Sequence, residues 1–71
     1  DLVTYPNPTS DYIYVSKKVN VKLINLLGDV IVSKKDVSSL NVSKLTPGIY
    51  SLMIEYKNAI INVKIIKQWV L

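Results

Sequence analysis

The chain has 71 residues, 49% hydrophobic and 20% charged, with a formal net charge of +4. That is sequence for one domain, far too apolar for a disordered tail, and its apolar runs are too short to span a bilayer as a helix. Cys and His are both absent, which removes disulfides, thiolate chemistry, the commonest metal ligand and the commonest acid–base group at neutral pH. All nine cations are Lys. Arg supplies the planar fork that reads phosphate and guanine bidentately, so nucleic acid is not an expected partner. Lys along strands solubilises a sheet and blunts its edges. The chain starts at Asp1 without an initiator Met or a charged-then-apolar leader. Residues 1–71 are therefore expected to be one domain of a longer, processed polypeptide.

Val and Ile together fill 19 positions, five more are Tyr, and Ala occurs once. β-branched and aromatic side chains suit a pleated surface better than a helix, so the expected class is all-β. In chain order, residues 3–5 are a short extended lead-in. Tyr5-Pro6-Asn7-Pro8 is a stiff, kinked segment, because each residue before a Pro is pushed out of the helical region. Residues 9–11 are turn-like. A strand over 12–16 sets Ile13 and Val15 against Tyr12 and Tyr14, and Lys17-Lys18 ends it. A second strand runs over 19–27, alternating at Val19, Val21 and Leu23 and thickening at Ile24, Leu26 and Leu27.

Gly28-Asp29 forms a tight turn into a partner strand over 30–33. Lys34-Lys35-Asp36 is a polar loop, and 37–42 is a weaker strand. Thr46-Pro47-Gly48 carries the signal of a type II turn. A long strand over 49–56 places Tyr50, Leu52 and Ile54 on one face. Lys57-Asn58 turns into a last strand over 59–67, with Ile61, Val63 and Ile65 against Asn62 and Lys64. About seven short strands at this rhythm predict a sandwich or a barrel.

Groups for catalysis do not converge. The acids Asp1, Asp11, Asp29, Asp36 and Glu55 are scattered, and three of them sit in turns, where Asp serves the backbone. No calcium loop, metal cluster or Gly-rich phosphate loop is present, so no catalytic, cofactor or metal site is expected. Asn41-Val42-Ser43 fits a glycosylation sequon and reads as an exposed strand end.

Three features in order carry a resemblance. Tyr5-Pro6-Asn7-Pro8 precedes an alternating strand, a Leu27-Gly28 hairpin sits mid-chain, and Leu45-Thr46-Pro47-Gly48-Ile49-Tyr50 leads into a last hairpin ending Lys64-Ile65-Ile66-Lys67. The chain resembles the type A C-terminal sorting domain of the type IX secretion system of Bacteroidota, from Val3 to Lys67. The resemblance implies an immunoglobulin-like antiparallel β-sandwich at the end of an exported, non-enzymatic signal. Its partners would be an upstream cargo, the outer-membrane translocon and a surface cysteine peptidase with sortase activity that removes the tail. The cargo would pass through the periplasm to the cell surface or the medium, with no insertion of the domain into a membrane. Pro6, Asn7 and Pro8 match the family's opening motif, Gly48 and Tyr50 its glycine-any-tyrosine motif, and Lys64 and Lys67 its basic terminal strand. Members typically end near that last lysine, whereas Gln68-Trp69-Val70-Leu71 follow here.

Each of these residues also has a structural reading. Pro6-Asn7-Pro8 guards an edge or is recognised, Gly48 serves its turn, Tyr50 fills the core, and Lys64 and Lys67 solvate a face. A receptor reading the tail needs an exposed feature, and the last strand, placed at an edge, offers one for strand addition along 59–67. The alternative is an immunoglobulin-like module that binds carbohydrate or protein or spaces domains, with Tyr12, Tyr14 and Trp69 as its aromatics. Oligomeric state stays open, with dimerisation or strand swapping as routes that cover apolar edges.

Overall fold

The computed structural model describes residues 2–6 and 9–68. Five strands form one antiparallel sheet: β1 (Thr4–Tyr5), β2 (Tyr12–Ile24), β3 (Val30–Asn41), β4 (Gly48–Tyr56) and β5 (Ala59–Lys67). No helix occurs among the described residues. β2 organises the sheet. It pairs with β3 on one edge along most of its length, and its other edge is shared, β1 taking the first half and β4 the second. β5 then pairs with β4 over nine consecutive residue pairs without a register shift.

The all-β, antiparallel expectation holds, but five strands stand where the turn signals gave about seven. The two missing breaks are bulges inside continuous strands. Between Tyr14 and Val19, β2 carries extra residues relative to β3, which puts Lys17 and Lys18 in solvent without ending the strand. At Lys34-Lys35-Asp36 the surplus lies on β3, where Asp36 adopts φ 54° and its N–H donates to Asn20 Oδ1 at 2.9 Å. A bulge bends its strand and increases local twist. Long strands bulged in this way curl the sheet around a single core.

That core is the odd-numbered face of β2, with Ile13, Val15, Val19, Val21 and Leu23, closed by Leu40, Val42, Leu52, Ile54 and Ile65. The predicted alternations of 12–15 and 50–54 are those observed, and that of 61–65 holds at Val63 and Ile65 while Ile61 is exposed; Leu52 and Ile65 are essentially inaccessible. The second strand ends at Ile24 rather than Leu27, because Asn25 builds a turn. Its N–H donates to the Asp29 carbonyl (3.0 Å), and its Oδ1 accepts from the N–H groups of Leu27 (2.9 Å) and Asp29 (3.0 Å). Leu26-Leu27-Gly28 is left as a three-residue loop, with Gly28 at φ 90° in the position that needs it. Lys57 and Asn58 both take positive φ and make the expected two-residue hairpin turn.

Candidate recognition surface

Of the places that the resemblance marks, the fold brings Gly48, Tyr50 and Lys67 to one end of the sheet. Gly48 and Lys67 are register partners where β4 begins and β5 ends. Tyr50 follows Gly48 and pairs with Ile65. Its ring packs half-buried against the core, and its hydroxyl donates to the Thr46 carbonyl at 2.5 Å. That bond reaches back across Pro47-Gly48 and ties the turn to the strand it opens. Gly48 itself takes φ 156°, a conformation L side chains rarely adopt, so the residue is fixed by its backbone.

Pro6 is exposed and follows a cis Tyr5–Pro6 bond; Asn7 and Pro8 lie outside the described residues. Thr9 then forms a parallel bridge to Lys67. Its N–H donates to the Ile66 carbonyl (2.9 Å), its carbonyl accepts from Gln68 N–H (2.7 Å), and its hydroxyl donates to the Tyr12 carbonyl (2.6 Å). Thr9 is therefore a buried clasp on the outer edge of β5. The clasp also fixes which way β5 presents its backbone. The groups of Ile66 and Gln68 that bond Thr9 point away from β4, and so, by alternation, do those of Ile60 and Asn62. The edge is closed by the clasp at its C-terminal end and bordered by solvent-exposed Ile60, Ile61 and Asn62 at the other.

The two lysines do not share a surface. They are three residues apart on a period-two strand, so they face opposite sides of the sheet. Lys64 points outward and is exposed. Lys67 is on the core side, 4% exposed, and its ammonium donates to the Gln68 carbonyl at 3.1 Å. The parity with Ile65 is readable in the sequence, since an alternation that sets 63 and 65 toward the core also turns 67 inward.

The aromatics behave differently from an open platform. Tyr5, Tyr14 and Tyr12 form a ladder on the outer face, with centroids 5.6 Å and 5.9 Å apart and planes inclined by 27° and 17°. Sequence reasoning paired Tyr12 with Tyr14 but missed Tyr5, which the β1–β2 register sets opposite Tyr14. The inner ring faces are occupied by one another, whereas a sugar ring stacks on an open face. Trp69 lies outside the described residues. Asn41 ends β3 as expected, with its Oδ1 held by the N–H (2.9 Å) and hydroxyl (2.7 Å) of Ser43. Among the described residues no three carboxylates gather where they would hold a metal.

Comparison with known proteins now bears directly on this arrangement. The family model described as the secretion system C-terminal sorting domain matches residues 3–68, which includes the clasp, the Gly48–Tyr50 turn and all of β5. No curated protein matches the chain. A tail of this family marks its carrier for passage through the periplasm to the cell surface or beyond, and it implies contact with the secretion machinery and with an upstream cargo. With nearly its whole length inside that match, the chain belongs to the C-terminal sorting domains of the type IX secretion system.

Proposed function

We propose that residues 1–71 act as one non-catalytic sorting domain, read in the folded state by the outer-membrane translocon and cut from the cargo at the cell surface by a cysteine peptidase with sortase activity. The single observation that carries this reading is the family match over residues 3–68. The fold supports it. The halves of the curled sheet share one core, Ile13, Val15 and Leu40 from one and Leu23, Leu52, Ile54 and Ile65 from the other. That shared core is the observation that supports reading the single curled, five-stranded sheet as immunoglobulin-like. A signal of that kind survives transit as a compact body and needs only an exposed surface to be read.

The surface we assign is the outer side and edge of β5. Lys64 faces outward there, and the straight, apolar edge at Ile60–Asn62 is a template for strand addition. Gly48 and Tyr50, paired with β5 from β4, and the buried Lys67 hold that strand in place. The self-stacked Tyr ladder weighs against the carbohydrate-binding alternative. The test is a fluorescent periplasmic reporter carrying residues 1–71 at its C-terminus in a Bacteroidota host with an intact type IX system. The expected product is surface or medium reporter shorter by about the 8.0 kDa of the tail. Surface reporter that keeps its full mass would refute the cleavage step. Normal export of Lys64→Glu would remove Lys64 from the surface that is read.

A further inference from the structure

Leu26 and Leu27 are the most exposed large apolar side chains among the described residues, at 79% and 87%. The turn does not require them. Its geometry is set by Asn25, which bonds four backbone groups, and by Gly28 at φ 90°. The other hairpin tip, Lys57-Asn58, is polar. Here the chain holds two leucines rigidly in water.

The register places this tip beside the end of the sorting strand. Ile24, Ser51 and Lys64 form one row across β2, β4 and β5. The next outward row holds Ile49 and Ile66, partners on β4 and β5 and both exposed. Leu26 follows Ile24 by two residues, in the loop just past the end of β2. Val30, the partner of Ile24, is exposed as well. The outer face therefore ends in an apolar patch with Lys64 beside it and Asp29 in the tip.

Building on the sorting reading, we propose that this end of the sheet is a docking surface, and that Leu26 and Leu27 enter an apolar socket on a protein of the secretion machinery. The charges specify the rim: hydrogen-bond donors or cations opposite Asp29, and a carboxylate opposite Lys64. They also favour a protein over a lipid surface. Tips that enter membranes carry cations and Trp or Tyr next to their apolar residues. Residues 23–33 contain neither, and the charge nearest the leucines in sequence is the Asp29 carboxylate, which an anionic bilayer repels. A loop already fixed by Asn25 loses little freedom on docking, which favours tight contact with a small knob.

The test compares the reporter fusion with its Leu26→Ser/Leu27→Ser variant and with Val3→Ser, an exposed apolar control outside both β5 and the tip. Thermal unfolding of each purified tail checks the fold, and the tip variant is expected to melt within about 4 °C of the parent, as exposed substitutions do. Export of the tip variant is expected to fall about tenfold or more, with Val3→Ser near the parent level. Parent and tip variant exported alike would overturn the docking surface and leave the sorting reading intact. A parent fusion that is not exported would overturn both. Co-sedimentation of the parent tail with phosphatidylglycerol-containing vesicles, lost in the tip variant, would assign the leucines to lipid and overturn the protein socket. A leucine-dependent dimer by light scattering would assign them to a second copy, with the same consequence.

Discussion

Changing Lys64 and Lys67 separately to Glu is expected to give opposite results, although the two look equivalent in a basic terminal strand. Lys67 is 4% exposed and donates to the Gln68 carbonyl at 3.1 Å, where β5 is clasped by Thr9. Glu there loses a charge-assisted bond, on the order of 1.5–3 kcal/mol, and leaves a buried carboxylate facing a carbonyl acceptor. Uncompensated buried charges of this kind cost about 3–5 kcal/mol. A 71-residue domain has roughly 4–10 kcal/mol in all, so the loss is about half or more of its stability. At roughly 4–8 °C per kcal/mol, the melting temperature falls by about 12–40 °C. Lys64 is exposed, and Lys64→Glu stays within about 0.5 kcal/mol, or about 4 °C. Circular dichroism melts of the two purified variants decide the matter. Lys67→Met keeps the buried stem and loses only the ammonium, so it is expected between them. Melting temperatures of Lys67→Glu and Lys64→Glu within about 4 °C of each other would refute the placement of Lys67 on the core side.

Further outcomes follow from the same geometry. Thr9→Val keeps the shape of the clasp but removes the hydroxyl bond to Tyr12; it is expected to cost about 1–2 kcal/mol in urea unfolding and to speed amide exchange at Gln68. Tyr50→Phe removes the bond to Thr46, with an expected cost of about 1 kcal/mol and unchanged reporter export; lost export with a small stability change would give the hydroxyl a recognition role. Leu52→Ala opens the centre of the core and is expected to cost about 2–5 kcal/mol, enough to leave a population of unfolded tail at 37 °C by tryptophan-independent circular dichroism.

The parts of this fold that were legible in the sequence are those set by local alternation. The facing of Ile13 and Val15 against Tyr12 and Tyr14, and of Leu52 and Ile54 in β4, needs only the period of a strand. The hairpin at Lys57-Asn58 was legible for the same local reason. Lys17-Lys18 and Lys34-Lys35-Asp36 were read as breaks, because a polar cluster looks the same whether the chain leaves the sheet or bulges within it. Only the long-range pairing with Ser39, Val37 and Lys34 tells the two apart. Leu26 and Leu27 look like buried strand residues until Asn25 is seen closing the turn before them. The Thr9–Lys67 bridge joins opposite ends of the chain and leaves no local signature. Of the candidate site, the motifs were readable, but the division between an exposed Lys64 and a buried Lys67 depended on carrying the alternation one step further.

The most direct measurement is transfer of export. Residues 1–71 are fused to the C-terminus of a reporter that otherwise stays in the periplasm, and its location is scored in isogenic hosts with and without a working type IX translocon. Reporter at the surface or in the medium of the intact host, and retained in the periplasm of the mutant, is the result expected for a sorting domain. Equal retention in both hosts, with the tail shown to be folded, would contradict it.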